Sequence, residues 1–274
     1  MEKKEWTNIR HNPRLNVGLL HAYYIEHTYP RHSHDYYVVC VIERGYQSFT
    51  HGGIKHLTQP SSIILINPEE MHTGEAADRA GFEMRSFYPT ASHMETAALE
   101  LTGHHQAPPI FKQVRIDDPW AHSRILSLHQ AMSQDDGSLE CESRFIWTLA
   151  QLVKQYGDIS MAEQRIGQEK KAIQQARRYI EEHFAVGVSL HELAQYVGLS
   201  PYYFLRVFRA EVGMPPYTYL ESVRIGYAQK FIKAGRTLAE AAVEAGFSSQ
   251  SHMSNSFKKI IGVTPGQYAG QIRS

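Results

Sequence analysis

LHELAQYVGLSPYYFLRVFRAEVGMPPYTY (residues 190–219) and LAEAAVEAGFSSQSHMSNSFKKIIGVTPGQY (residues 238–268) are two versions of one passage. Leu190, Ala194, Gly198 and Ser200 recur as Leu238, Ala242, Gly246 and Ser248, an offset of 48. Phe208, Gly213, Pro216 and Tyr219 recur as Phe257, Gly262, Pro265 and Tyr268, an offset of 49, so the second copy has gained one residue. A repeat of this kind fixes architecture before any single residue is interpreted. Each copy has the form of a helix-turn-helix. In the first, Leu190, Leu193, Ala194 and Val197 sit three and four apart, and Gly198 gives the backbone freedom for a tight turn. Ser200 can then cap a second helix with Pro201 at its first position. That helix buries Phe204, Val207 and Phe208 and sends out an opposite stripe of Tyr202, Leu205, Arg206 and Arg209. In the second copy Met253 and Phe257 face inward, while Ser251, Ser254, Asn255 and Lys258 face out.

The paired motifs, the TPGQY ending and the segment between them resemble the AraC/XylS transcription regulators over about the last 100 residues. The resemblance implies that each second helix is a recognition helix lying on double-stranded DNA. Arg206 can bind guanine O6 and N7 bidentately. Leu205 either meets a thymine methyl group or is an exposed leucine without consequence. Tyr202 and Arg209 suit sugar or phosphate, positioning more than specifying. In the second helix Gln250 and Asn255 can pair with adenine, Ser251 and Ser254 offer hydroxyls, and Lys258 and Lys259 suit phosphates. Relatives often carry arginine where this chain has Asn255, so the second reader is the softer one. Helix N-termini near Ser189 and Ser249 can also cradle phosphates. The segment 217–234, which joins the motifs, makes a helix spanning about 27 Å at 1.5 Å per residue. That length can hold two recognition helices in major grooves about one turn of DNA apart.

A formal net charge of zero hides an asymmetry. Residues 170–274 hold 13 basic and 7 acidic side chains, leaving 28 − 13 = 15 basic and 28 − 7 = 21 acidic residues elsewhere. A basic C-terminal part beside an acidic remainder fits a nucleic-acid reader with a separate partner. Cys40 and Cys141 are too few and too far apart for a disulfide framework or a cysteine zinc site, and point to a reducing, cytoplasmic home. The N-terminus lacks the apolar run of a signal peptide, and no stretch approaches the ~20 apolar residues of a membrane span.

Thirteen of the 16 histidines precede residue 170. Residues 36–42 (YYVVCVI), apolar on both faces, read as a buried strand, 43–46 as a turn, and 47–51 and 54–57 as strands about the Gly52-Gly53 turn. Residues 63–66 form another strand, stopped by Asn67-Pro68. Short strands with frequent turn residues predict an antiparallel barrel or sandwich. His32-Ser-His34, Gly45 and the closing His72 resemble the cupin-like effector domain of the same family. In metal-binding cupins two such histidines, a glutamate and a final histidine share one metal. Here His32, His34 and His72 match, whereas Val38 and Val39 occupy the place of the glutamate. The site therefore reads either as the mouth of a small-molecule pocket or as a divalent-metal site, with structural histidines a third reading. Effector contacts are expected from His32, His34, Tyr37, Arg44 and His72, with no cofactor required. Arg44 either pairs with a ligand carboxylate or is a solvated turn arginine.

Helical periodicity returns from Trp120 to Tyr156, where Ile125, Leu128 and Met132 form one stripe and Phe145, Leu149, Leu152 and Val153 another. By resemblance this pair mediates a homodimer. The expected organisation is α+β and multidomain: a cupin-like β-barrel over 1–115, a helical pair over 116–158 and a linker over 159–171. An all-α DNA-binding domain over 172–274 follows, with helix-turn-helix units at 190–211 and 238–261. The leading expectation is a non-enzymatic, effector-controlled transcription regulator that binds promoter DNA and recruits RNA polymerase as an activator. The alternatives are a metal-dependent cupin enzyme with a helical appendage and a protein-interaction module.

Overall fold

The structure is a computed structural model that describes residues 4–134, 138–159 and 169–273. Two compact units emerge, residues 1–137 with 144–165, and 138–143 with 166–274. Of the expected linker, residues 160–168 lie outside the described residues.

The first unit begins with nine strands: β1 (Trp6–Asn12), β2 (Val17–Tyr24), β3 (Tyr29–His32), β4 (Val38–Gly45), β5 (Gln47–His51), β6 (Ile54–Thr58), β7 (Ile63–Ile66), β8 (His72–Ala76) and β9 (Phe82–Tyr88). Helix α1 (Ala91–Thr102), short strands β10 (Ile110–Phe111) and β11 (Arg115–Ile116), helix α2 (Pro119–Gln134), helix α3 (Leu139–Tyr156) from Arg144 onward, and β12 (Gly157–Asp158) complete it. The strands form a six-stranded sheet ordered β1-β2-β9-β4-β7-β11 and a four-stranded sheet ordered β3-β8-β5-β6, with β10 paired to β12. All these pairs are antiparallel.

Successive side chains on a strand point to opposite faces, and this explains the doubly apolar YYVVCVI segment. Val38, Cys40 and Ile42 join Leu20, Ile64, Ile66 and Met84 in one core that also takes in Phe49 of the four-stranded sheet. Val39, Val41, Leu65 and Phe87 lie on the other face and are also fully buried. There α2 packs on β4 and β9, and the Phe87 and Phe145 rings meet edge-on at 6.4 Å.

Two sequence expectations change here. Residues 43–45 are strand, not turn: β4 runs on to Gly45 against β9, with a register shift between Ile42 and Arg44. Cross-strand charge pairs, Arg85 with Glu43 and Arg44 with Glu83, hold this end of the ladder. Helix α1 is an element that strand periodicity did not foretell. Its signals are nonetheless local: Thr90 and His93 form a reciprocal capping box, and Met94, Ala97, Ala98 and Leu101 recur at helical spacing and are buried.

The second unit holds α4 (Lys170–His183), α5 (Leu190–Tyr196), α6 (Pro201–Val212), α7 (Pro216–Lys233), α8 (Leu238–Glu244), α9 (Gln250–Ile261) and α10 (Pro265–Arg273). Helix pairs α5/α6 and α8/α9 are the two copies, and α7 joins them. Both end alike: Tyr219 packs on Phe208 at 5.8 Å between ring centroids, and Tyr268 on Phe257 at 5.3 Å. The extra residue of the second copy falls in its turn. Ser200 is the N-cap of α6, whereas α9 is capped by Ser249, one residue beyond the Ser248 that aligns with Ser200. From cap onward the two recognition helices run in one register.

Candidate nucleic-acid interface and effector cavity

The short first helix of each motif is fixed by a reciprocal capping box. Ser189 and Glu192 cap α5, and Thr237 and Glu240 cap α8. The carboxylate of Glu192 accepts from the Ser189 N–H at 2.9 Å, so that helix start is already answered by an anion. This corrects the expectation of a phosphate cradle at Ser189. At α9 Ser249 accepts from the His252 N–H at 3.1 Å.

On α6, Phe204, Val207 and Phe208 are buried as expected. Arg209 is exposed and Arg206 half-buried. Tyr202 and Leu205 are buried, 3% and 4% exposed, which corrects their assignment to an open stripe. Leu205 lies three residues before Phe208, so helical geometry widens the apolar face to include it. Tyr202 lies one turn before Arg206, whose guanidinium carbon sits 5.7 Å from the Tyr202 ring centroid. The tyrosine therefore seats the arginine by a cation–π contact. On α9, Gln250, Ser251, Asn255, Lys258 and Lys259 are exposed and Ser254 is half-buried, over an inward face of Met253, Ser256 and Phe257. The second motif thus presents a continuous polar stripe, while the first narrows to its two arginines.

In the first unit a cavity of about 240 Å³ lies between the two sheets. Leu20, Val38, Cys40, Phe49, Ile64, Ile66 and Met84 make its apolar walls, and His32, His34, His72, Tyr29, Tyr36 and Tyr88 are the polar aromatic groups. The three histidines converge, each able to offer one ligand nitrogen, with these atoms within 4.8 Å of one another. His72 takes its place by pairing with His32 across β8 and β3. Each imidazole is oriented by a backbone carbonyl at Nδ1: Pro30 for His32 at 2.8 Å, Tyr36 for His34 at 3.3 Å, Glu70 for His72 at 2.9 Å. Carbonyls can only accept, so in a neutral ring they select the Nδ1–H tautomer, which puts the lone pair on Nε2. Burial pulls the His72 pKa down to about 4 and also lowers that of His34, which keeps both neutral near pH 7. Among the described residues, the lining contains no Asp, Glu, Lys or Arg. Gln47 reaches this cavity from β5, is 5% exposed, and its Oε1 has no hydrogen-bond partner.

Two expected effector residues lie elsewhere. Tyr37 is buried with its hydroxyl donating to Pro109 O at 2.8 Å and its ring edge-on to Phe111. Its neighbour Tyr36, in the bend before β4, lines the cavity instead, stacked on His34 at 4.3 Å. Arg44 is bound to Glu83 through Nε at 2.6 Å and its side chain is 78% exposed, outside the cavity. Its partner belongs to a second polar cluster that sequence reasoning missed, His21, Glu43 and Glu83. Arg85 and Arg44 there neutralise the two carboxylates. As for a metal, three convergent nitrogens fit a divalent transition ion, while the carboxylate of the four-ligand pattern is lacking, since Val38 and Val39 are buried valines.

A two-sheet domain enclosing a cavity, joined to a pair of helix-turn-helix units, defines a DNA-binding transcription regulator with a ligand-binding domain. Residues 15–149 match the AraC-like ligand binding domain, and residues 193–271 match a helix-turn-helix domain. The HTH-type transcriptional regulator YbfI of Bacillus subtilis (strain 168) is 30% identical over 92% of this chain and 90% of its own length. The transcriptional activator RhaS of Klebsiella pneumoniae (strain 342) is 22% identical, with 86% of each chain covered. A crystal structure of a lysine-to-alanine variant of apo ToxT from Vibrio cholerae strain SCE256 aligns over 96% of this chain and all of its own at 14% identity, with a TM-score of 0.42. The chain belongs to the AraC family of transcriptional regulators.

Proposed function

We propose that the protein is an activator whose promoter affinity is set by a small molecule bound in the cavity beneath His32, His34 and His72. The observation that carries this is the cavity itself: apolar walls between two sheets, with the imidazoles of His32, His34 and His72 converging at it. Apolar walls with few polar groups are the usual form of a ligand pocket. On DNA, Arg206 is assigned to base edges, Arg209, Lys258 and Lys259 to phosphates, and Gln250, Ser251, Ser254 and Asn255 to the second groove segment. RNA polymerase is the proposed downstream partner and a homodimer the proposed assembly. The test is to map bound promoters and adjacent transcripts in cells carrying wild-type protein, Gln47→Leu or no protein. The expected result is that wild-type protein raises those transcripts in some growth media and not others, and that Gln47→Leu abolishes the dependence on medium. Equal response of both proteins to medium would remove the cavity from the control.

A second reading, a divalent metal at the cavity mouth, is favoured by one observation: all three Nδ1 atoms are anchored and all three Nε2 atoms left available. His32, His34 and His72 would hold the ion, which would supply a Lewis-acidic anchor for an oxygen or nitrogen of the effector. Full-length protein dialysed against zinc should then retain one equivalent, and His72→Ala should retain none. Equal zinc in both would leave the cavity to an organic ligand alone.

A further inference from the structure

The two helix-turn-helix copies differ in what their turns touch. Gly198 and Gly246 both have left-handed backbones, with φ of +69° and +79°. A Cβ added at Gly198 would meet nothing within 4 Å, whereas one at Gly246 would stand 2.8 Å from the carbonyl oxygens of Phe184 and Ala185. Those carbonyls belong to the end of α4, which packs on α5 and α6 of the first motif. The turn of the second motif therefore rests directly on the foundation of the first.

Arg224 of α7 ties the same place together. Its Nε donates to Phe184 O at 2.7 Å and its Nη2 to Val186 O at 3.1 Å. The guanidinium carbon lies 6.0 Å from the centroid of Phe247, in the turn after Gly246. Phe184 stacks on Tyr227, one helical step along α7, at 3.9 Å and 12° between planes. One turn before Arg224, Glu221 accepts from the Ser256 hydroxyl of α9. The cation thus satisfies two carbonyls at a helix end and faces the aromatic ring of the opposite motif, three contacts that the guanidinium fork can make at once.

We infer that Arg224 and Gly246 are positioning residues, forming a joint that sets the angle and spacing between the two recognition helices and hence the separation of the groove segments they read. A single α7 helix fixes distance but leaves rotation to its end contacts, and this joint supplies the second point of attachment. The inference rests on the reading that both helices engage one duplex. Neither residue is placed on the DNA-facing stripes.

The test measures spacing discrimination with the full-length chain. Wild-type protein first selects its target from a library of random duplexes. Enriched duplexes are then remade with one base pair added or removed between their two preferred segments, which rotates one segment by about a tenth of a turn. Wild-type protein is expected to lose about tenfold in affinity for each altered spacer, the scale of one mismatched pair. Arg224→Gln and Gly246→Ala are expected to hold the parent and altered duplexes within about threefold of each other. Gly198→Ala, which bears a similar left-handed φ but open space, is expected to keep the wild-type ratio. The ratio is taken on one preparation, so a lower folded fraction leaves it unmoved. Should Arg224→Gln fail to fold, Arg224→Lys, which keeps the charge and loses the fork, makes the same comparison. Wild-type discrimination in the folded Arg224 and Gly246 variants would overturn the inference, as would equal relaxation by Gly198→Ala. Enrichment of a single undivided segment by wild-type protein would overturn it too, while leaving DNA binding itself in place.

Discussion

Tyr202 holds the guanidinium of Arg206 by a cation–π contact, and the proposed reading gives Arg206 the base readout of the first motif. Replacement by alanine is expected to cost about 1–3 kcal/mol on the preferred duplex and little on random duplex, relaxing specificity in one groove segment. Equal losses on both duplexes, in a binding titration, would move Arg206 to the phosphates. His129 governs a different property. It is 1% exposed, with Nε2 beside Leu20 O at 3.0 Å, and burial, the largest cause, lowers its pKa to about 4. The unfolded chain takes up that proton near pH 6.5 while the folded one refuses it until about pH 4. Stability is therefore expected to fall as pH drops through this window, by roughly 3 kcal/mol from this group. Denaturant titrations at pH 7 and 4.5 check it, with His129→Gln expected to lessen the drop.

Among the elements, turns and caps carry the information that periodicity leaves out. Gly81, before β9, has φ of +72°, and a Cβ there would lie 2.4 Å from Tyr24 O. Gly81→Ala is expected to destabilise the first unit by about 2 kcal/mol or more, read as a lower denaturation midpoint. The helix-turn-helix elements were legible because Leu190, Leu193 and Ala194, or Phe204 and Phe208, repeat at helical spacing, and all prove buried. Leu205 and Tyr202 misled the same argument. A stripe drawn from polarity and spacing does not give the width of the buried arc, which neighbouring elements set. At Tyr36 and Tyr37 the failure was one of direction: adjacent tyrosines are chemically alike, and the bend before β4 decided which one reached the cavity.

For the whole molecule, charge asymmetry becomes a statement about salt. If Arg209, Lys258 and Lys259 each neutralise one phosphate, the log–log slope of affinity against salt is about −2.7, and a fourfold rise in salt weakens binding roughly fortyfold. Lys258→Ala is expected to weaken preferred and random duplexes alike and to reduce the slope by about one. An unchanged slope would take Lys258 off the phosphates. No described helix is long and apolar enough to cross a membrane. By itself the sequence determined the two repeated motifs, their register and the polar faces of the second, since these follow from short-range spacing within single helices. It also brought forward His32, His34 and His72, though not that their Nδ1 atoms are all pinned by carbonyls. Tertiary structure alone decided the cavity lining, the exclusion of Tyr37 and Arg44, and the contact of Gly246 with the end of α4. Each of these depends on residues distant in sequence meeting across sheets or between helices. A linear pattern gives a side chain its face, and only packing gives it a neighbour.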